Sequence, residues 1–464
     1  MLRFSDTAPG TLRRRDFLHV GSLALGGLTL PSLLRARAAA ADYGVRAADK
    51  SVIFLFLHGG PPQTETFDPK MGAPSGTRSV TGEIATTLPG VTFGGTLQHL
   101  ARQAHRMAIV RSFTTGDGNH DLKPLVGRDT GGANIGAICA RLQGTNRPGT
   151  GLPTNVALFP RVVVPDAQPA VRDFGRFEAT GSLGAGYASF VPGEGGPMEK
   201  DMRLEMPLGR FEDRRRLLGP LDTVRRAFDA PDALEGVDRF RAQAYDVILG
   251  GAARAFDLSE EDPRVIERYD TAPLVPVASI SKQWNNHKNY ADNVRSLGRL
   301  LLLARRLCEA GCGFVTVTTN FVWDFHADEN NATVEEGMRY VGAPFDHAVA
   351  AFIEDVELRG LQDRILLVAC GEMGRTPHVN KKGGRDHWGR LAPLLLYGGG
   401  LKMGQVIGRS THDAGEPATE PVTNARLVAT ILHSLFDIGK LRLVPGLPQE
   451  ILRLTEAKPI EELF

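Results

Sequence analysis

Cysteine is scarce in this sequence, which includes four in 464 residues: Cys139, Cys308, Cys312 and Cys370. No pair has the CxxC spacing of a zinc knuckle, and three of the four lie in apolar helix or strand patterns, so we expect buried thiols. Cys308 and Cys312 are one helical turn apart, a geometry that disfavours a disulfide even in an oxidising compartment.

The sequence also lacks an excess of charge of one sign, with 54 basic and 53 acidic residues and a formal net charge of +1. The first forty residues hold six basic and two acidic residues, so the rest of the chain carries about −3. This balance gives no reason to expect a nucleic-acid partner. Long hydrophobic runs are missing as well, so we expect no stable membrane span.

Several common catalytic signatures are absent from the sequence. It contains no GxSxG, no HExxH and no P-loop. These absences exclude the commonest serine hydrolases, zinc proteases of the HExxH type and nucleotide-binding enzymes.

The first forty residues have the pattern of an export signal. Arg14 and Arg15 precede Asp16-Phe17-Leu18, a glycine-rich apolar stretch follows over 20–34, and small residues near 36–40 offer a cleavage site. This pattern resembles a bacterial twin-arginine signal, although an arginine stands at 13 where Ser or Thr is usual. We therefore expect a leader over 1–40, the twin-arginine translocase as a partner, and a mature protein in the periplasm or secreted.

Buried strands and amphipathic helices alternate along the rest of the chain. Apolar runs of strand length are found at 51–57, 107–111, 154–159, 314–318, 364–370 and 391–397, and helical spacing at 97–106, 289–310, 345–359 and 422–436. This alternation predicts an α/β fold with a mostly parallel sheet and helices on both faces. We expect one domain over 45–440 with a helical cap insertion at about 205–290, a long glycine-rich loop over 174–198, and a C-terminal tail over 441–464.

Polar side chains follow the predicted strands at the points where the strands end. In open α/β sheets ligands bind outside the carboxyl ends of the strands, so these residues are candidates for one site. Asp324 and His326 are two apart and would point to the same side of an extended segment. The candidates are His58; Thr115, Asn119 and His120; Asp324 and His326; and Glu372, Arg375, Arg385, Asp386 and His387. Each group alone also fits an ordinary polar turn, and it is their convergence that favours a site.

Several of these motifs resemble the bacterial domain-of-unknown-function 1501 family over about 51–437. They are His58-Gly-Gly-Pro61, Thr66-Phe-Asp-Pro-Lys70, Asn119-His120, Gly184-Ala-Gly-Tyr187, Trp323-Asp-Phe-His326, Gly371-Glu-Met-Gly-Arg-Thr-Pro377 and Gly384-Arg-Asp-His-Trp388. That family is regarded as similar to the alkaline phosphatase and sulfatase superfamily. The resemblance implies an alkaline phosphatase-like fold.

The resemblance also implies site roles. Asp324, His326 and His387 match metal ligands of that superfamily, while Glu372 and His58 stand where it usually has Asp ligands. Thr115 matches its nucleophile with slightly different spacing, and Asn119 and His120 follow as substrate-binding residues. No Cys-x-Pro-x-Arg stands there, so a formylglycine mechanism is not expected.

These roles predict metal-assisted hydrolysis of a small anionic ester of phosphate or sulfate. Arg375 or Arg385 would hold an oxyanion, and Asp386 would orient His387 or transfer a proton. Imidazole and carboxylate ligands favour zinc or manganese over magnesium. Two alternatives stay open: an exported binding or scaffold protein that keeps the fold without turnover, and a carbohydrate-active protein, to which Trp323 and Trp388 point.

Overall fold

The computed structural model describes residues 49–193 and 252–464, together with Pro207, Arg210, Asp213, Ala244 and Asp246. The predicted export signal at 1–40 lies outside the described residues, and so does most of the predicted helical cap before residue 252.

A seven-stranded sheet forms the centre of the described structure. We number its strands in chain order: β1 (Ser51–Phe56), β2 (Met107–Val110), β3 (Asn155–Leu158), β4 (Phe314–Val317), β5 (Ile365–Cys370), β6 (Leu394–Gly398) and β7 (Gln405–Ile407). The order across the sheet is β7-β2-β6-β5-β1-β4-β3. Strand β6 is antiparallel to both β2 and β5, and the other neighbouring pairs are parallel. The central strands are buried on both faces, which is why they read as continuous apolar runs.

Helices cover both faces of this sheet. They are α1 (Gln98–Arg102), α2 (Ile135–Gln143), α3 (Ala253–Phe256), α4 (Pro263–Tyr269), α5 (His287–Glu309), α6 (Val334–Gly337), α7 (Ala343–Leu358), α8 (Asn424–Leu435), α9 (Ile438–Leu441) and α10 (Gln449–Leu454). One face packs against α5 and α7, with alternate residues such as Ile53 and Leu55 pointing to it. The other packs against α2 and α8, and receives Val52 and Phe54. The predicted α/β architecture is confirmed.

The six strands predicted from the sequence are all present, and each end lies within three residues of its predicted position. Strand β7 and helix α2 were not predicted. Strand β7 is only three residues long, and α2 has buried residues on most of its circumference, so neither shows the periodic pattern that sequence analysis detects.

In the segment after 440, expected to be a tail, α10 contacts α8, and Ile451, Ile460 and Leu463 are buried in the core on the α2 and α8 face of the sheet. The four cysteines are buried thiols, as expected. Among the described helices, none combines the length and the apolar character that a bilayer crossing would need.

A buried ion-pair network joins α5 and α7 to the chain before α4. Arg305 is almost fully buried and contacts Glu261 at 2.6 Å and Asp355 at 2.9 Å. Arg359 completes the network through the same two carboxylates, each at 2.8 Å. Burial alone would raise the pKa of Glu261, but the hydrogen bond and charge of Arg305 and the other arginines lower it from 4.5 to about 2. The ionised carboxylate therefore stabilises the folded state.

Candidate metal centre

The candidate site lies at one edge of the sheet, where strands β5, β1 and β4 end side by side. Glu372 follows β5, and Asp324 and His326 lie in the loop after β4. His120 lies in the loop after β2, which runs in the same direction as β5. Because β6 is antiparallel, its beginning meets this edge, and His387 therefore reaches the site from a short strand, His387–Trp388, just before β6. The topology brings together residues that are far apart in sequence.

Four of the predicted residues form a cluster of metal-ligating side chains: His120, Asp324, His326 and His387. One ligand atom from each lies within 4.8 Å of the other three. The three Nε2 atoms surround the Oδ1 atom of Asp324, at 3.5 Å from His120, 2.9 Å from His326 and 3.4 Å from His387. Three imidazole nitrogens and one carboxylate oxygen are a typical donor set for a transition metal such as zinc.

Two further carboxylates hold the Nδ1 atoms of two of these histidines. Glu372, which is fully buried, lies 2.8 Å from Nδ1 of His120 and also accepts from the backbone N–H of Gly59 at 2.9 Å. Asp386, which is largely exposed, lies 3.2 Å from Nδ1 of His326. Metal-binding histidines commonly donate their second N–H to a carboxylate in this way, which fixes the tautomer and turns Nε2 toward the metal.

This arrangement fits a bound cation at the centre of the cluster. In a neutral imidazole whose Nδ1–H donates to a carboxylate, Nε2 carries a lone pair; in His120 and His326 this lone pair would face Oδ1 of Asp324, which has no proton to share. The Nε2 atoms of His326 and His387 also face each other at 2.7 Å. Such a group of acceptors is stable only with positive charge among them, supplied by protons or by a metal ion.

Part of this positive charge comes from Arg375, which is fully buried behind the cluster. Its guanidinium donates to Oδ1 of Asp324 and to the backbone oxygens of Gly59 and Gly60, the latter at 2.8 Å. It thus joins the turn after β1 to the loop after β4. These contacts direct the donors of Arg375 to the protein itself. Its expected role of holding a substrate oxyanion remains a prediction.

The electrostatics of the cluster keep Asp324 ionised. Burial would raise the pKa of its carboxyl, but the charge of Arg375 and hydrogen bonds from the three histidines hold the pKa well below its usual range. Burial lowers the pKa of His120, but hydrogen bonds with Asp324 and Glu372 outweigh it and raise the pKa. The pKa of His387 is lowered, because burial has the largest influence on it. Neutral imidazole is the form that binds a metal.

His58, which the resemblance places among the ligands, lies outside this cluster. Its ring packs edge-on against Phe174, Phe177 and Phe321, with centroid distances of 5.0–6.0 Å. Both ring nitrogens are buried without a hydrogen-bond partner among the described residues. Burial lowers the pKa of this histidine to about 4, so it is neutral at physiological pH.

Three other predicted residues have contacts away from the cluster. Thr115 is buried, and its hydroxyl contacts the carbonyl oxygen of Gly389 at 3.4 Å. Asn119 is exposed. Arg385 is fully buried and donates to Glu65 at 3.1 Å and to backbone oxygens of the loops around it, which gives it a structural role. The roles in substrate binding and catalysis expected for these residues remain predictions.

Sequence analysis did not assign several contacts of the site. It placed His120 with the substrate-binding residues and Glu372 with the metal ligands, whereas the structure puts His120 in the cluster and Glu372 behind it. It also missed Asn331, whose side-chain amide donates to Oδ2 of Asp324 at 2.9 Å, and Phe321, whose ring lies 4.7 Å from that of His120. The order of residues along a chain does not show which acid faces which ring nitrogen.

Two solved structures show a distant likeness to the chain. The crystal structure of Ps i-CgsB is 9% identical, with 88% of this chain and 77% of that chain covered and a TM-score of 0.32. The crystal structure of PsFucS1 sulfatase from Pseudoalteromonas sp. is 11% identical, with 86% and 71% covered and a TM-score of 0.31. Likeness at this level has no bearing on what the chain binds or does.

No curated protein matches the chain in sequence. A family model described as "Protein of unknown function (DUF1501)" matches residues 49–464, which include every strand of the sheet and every residue of the cluster. The chain therefore belongs to the DUF1501 family.

Proposed function

We propose that this protein is an exported, metal-dependent hydrolase of small phosphate or sulfate esters. The observation that carries the proposal is the convergence of three imidazole Nε2 atoms on one buried carboxylate oxygen, with the Nδ1 atoms of His120 and His326 held by Glu372 and Asp386. The ester class comes from the family resemblance of the sequence motifs.

The donor set supports zinc or manganese as the metal. Imidazole nitrogen suits zinc, whereas magnesium prefers six oxygen ligands, many of them water. His120, Asp324, His326 and His387 would hold the ion. When bound, such an ion acts as a Lewis acid and makes a hydroxyl or water easier to deprotonate.

The residues of the chain supply the other functions of this site. Arg375 and Asn331 hold the two oxygens of Asp324, so the orientation of this carboxylate is set by the fold. The side chains of His326 and His387 are partly exposed, so the cluster is accessible from one side. Asp386 stands on that open side, bonded to Nδ1 of His326, and is placed to accept a proton there.

Elemental analysis of the exported protein tests this function. We expect about one zinc or manganese per chain, lost in His387→Ala and Asp324→Ala and kept in His412→Ala, which removes an exposed histidine outside the cluster. The metal-loaded protein is then assayed on matched phosphate and sulfate monoesters. A folded wild-type protein without metal would contradict the proposal.

A second candidate function is a metal-holding binding or scaffold protein without turnover. Four protein ligands would fill a tetrahedral site, as they do in structural zinc sites, whereas catalytic zinc keeps an open position. Arg375 also donates to the same oxygen of Asp324 that the imidazoles face, which leaves less room for a substrate oxygen. Stoichiometric metal with no hydrolysis of any ester would favour this function over the first.

Export through the twin-arginine translocase is part of the proposal and rests on the sequence. Arg14→Lys combined with Arg15→Lys should leave the protein in the cytoplasm with its leader attached, because the translocase recognises the arginine pair. Fractionation of cells that produce each form measures this. Unchanged export of the double variant would contradict it.

A further inference from the structure

Two hollows open beside the metal centre and share part of their walls. The larger, about 530 Å³, is lined by Thr376, Asp386, Trp388, Thr411 and Asp413 among others; we name it the tryptophan cleft. The smaller, about 390 Å³, is lined by His326, Asp328, Lys381 and Lys382; we name it the lysine hollow. Asn380 and Asp386 line both. A ligand at His326 can therefore extend into either hollow.

The two hollows differ in charge. The tryptophan cleft has three carboxylates in its wall, from Asp386, Asp413 and Glu416, and neither Lys nor Arg. The lysine hollow has two carboxylates, from Asp328 and Asp386, but also two exposed lysines next to His326. An anionic group therefore finds ammonium donors only in the lysine hollow, whereas the carboxylate oxygens of the tryptophan cleft offer it no hydrogen-bond donor. A monoester bound across the centre would accordingly place its anionic group on the lysine side and its alcohol part in the tryptophan cleft.

The wall of the tryptophan cleft is held in place by internal hydrogen bonds. The indole N–H of Trp388 donates to the backbone oxygen of Gly415 at 2.6 Å. The carboxylate of Asp413 accepts from the Thr411 hydroxyl at 2.6 Å and from the backbone N–H of Gly415 at 3.0 Å. The cleft thus presents a fixed aromatic ring and fixed acceptor oxygens before any ligand arrives, which reduces the entropy cost of binding.

The charges of the cleft favour an uncharged ligand over a cationic one. Glu416 is paired with Arg390, and Asp386 is bonded to His326, so two of the three carboxylates already have a basic partner. Their remaining lone pairs can accept hydrogen bonds but offer little net attraction to an ammonium group. Hydroxyl groups are suitable partners for these lone pairs, because each supplies one hydrogen-bond donor without adding charge.

We propose that the alcohol part of the substrate is an uncharged polyhydroxyl group, such as a sugar or polyol, that binds in the tryptophan cleft. This inference rests on the proposed ester hydrolysis and names its substrate class. Asp413 accepts hydrogen bonds from the hydroxyl groups, and Trp388 packs against their carbon skeleton. The anionic ester group lies toward Lys381 and Lys382.

The test compares esters that differ only in the alcohol part. The probes are 4-nitrophenyl phosphate, glucose 6-phosphate, fructose 1,6-bisphosphate and phosphocholine, with 4-nitrophenyl sulfate and glucose 6-sulfate as the matched sulfates. We expect kcat/KM for glucose 6-phosphate to exceed that for the bisphosphate and for phosphocholine by about tenfold or more. The second phosphate of the bisphosphate would face carboxylate oxygens, and the choline group has no hydroxyl to donate to Asp413.

Variants connect this preference to the cleft. Asp413→Asn should lower kcat/KM about tenfold for the glucose esters and less than about twofold for the 4-nitrophenyl esters, because only the former bond to this carboxylate. Glu420→Gln, an exposed change outside the cleft, should alter neither. Equal effects of Asp413→Asn on both kinds of ester, or a preference for phosphocholine, would overturn the inference while ester hydrolysis itself stood.

A binding measurement keeps the two proposals separate if no ester is hydrolysed. Calorimetry with glucose 6-phosphate, on metal-free and metal-loaded protein, then tests the cleft directly. Binding that weakens about tenfold in Asp413→Asn, but not in Glu420→Gln, would support the inference although the hydrolase proposal had failed. No binding to the wild-type protein would overturn it.

Discussion

Replacing Glu372 by Gln should weaken metal binding without unfolding the protein. The carboxylate of Glu372 accepts from Nδ1 of His120 at 2.8 Å and from the N–H of Gly59 at 2.9 and 3.2 Å. Oε1 of Glu372 takes part in both short contacts, so a Gln whose oxygen occupies that place keeps them but puts its NH₂ group near the Gly59 N–H, at the position of the 3.2 Å contact. The other orientation points the NH₂ group at the imidazole. Both orientations also lose the charge that strengthens the bond to His120.

The expected size of the effect follows from this geometry. Removing a carboxylate that orients a metal-binding histidine costs about 10–100-fold in affinity, or about 1.4–2.8 kcal/mol. Asp386→Asn is the matched comparison, because Asp386 contacts Nδ1 of His326 in the same way but at 3.2 Å and with 59% of its side chain exposed. Water screens this exposed bond, so we expect a loss of less than about fivefold.

Competition with a chromophoric chelator at neutral pH measures zinc affinity in the wild type and both variants. Circular dichroism and thermal unfolding of the metal-free proteins show whether the fold is kept. Unchanged affinity in Glu372→Gln would refute the role assigned to this carboxylate. A larger loss in Asp386→Asn than in Glu372→Gln would refute the argument from burial.

Three further predictions follow from other parts of the structure. His58→Phe should keep the metal content and raise the free energy of unfolding by about 1 kcal/mol, measured in urea, because it removes two buried nitrogens without partners; loss of metal would show that His58 is a ligand. Glu261→Gln should destabilise the protein by about 2–3 kcal/mol at pH 7, because its pKa of about 2 lies below the ordinary 4.5. That stabilisation is complete above pH 4.5 and is lost as the pH falls toward 2, so urea unfolding of both proteins should show more than half the difference gone by about pH 3; a constant difference would contradict the assignment. Gly59→Ala should abolish metal binding, because its Cβ would lie 2.6 Å from the backbone nitrogen of Asp324, whereas Gly184→Ala, also at positive φ but with open space around it, should retain it in the same metal assay; equal metal loss in both would contradict this.

The sequence was sufficient to predict six of the seven strands and a mostly parallel sheet, but not the antiparallel course of β6. Strands β1 and β5 are apolar at every position except Ser51, and such runs are visible without any knowledge of their neighbours. The antiparallel course of β6 leaves no trace in its sequence, because a strand buried on both faces shows the same apolar run in either direction. This direction is what brings His387 to the site.

Contacts within the candidate site could be predicted where the residues are close in sequence. Asp324 and His326 are two residues apart, and the structure brings their side chains to within 2.9 Å of each other. The contact between His120 and Glu372 was beyond sequence analysis, since these residues are 252 positions apart and their contact depends on how two loops meet. His58 follows a strand as expected, but the aromatic rings around it come from segments that showed no periodic pattern.

The central position of β1 has a consequence for how the chain folds. This strand is made early, but its two partners in the sheet, β4 and β5, follow roughly 260 and 310 residues later. Until they emerge from the ribosome, both edges of an apolar strand remain unpaired and able to pair with other chains. We expect high contact order, slow folding after synthesis, and dependence on chaperones during that interval. A chain truncated before residue 365 would leave β1 unpaired on one side permanently.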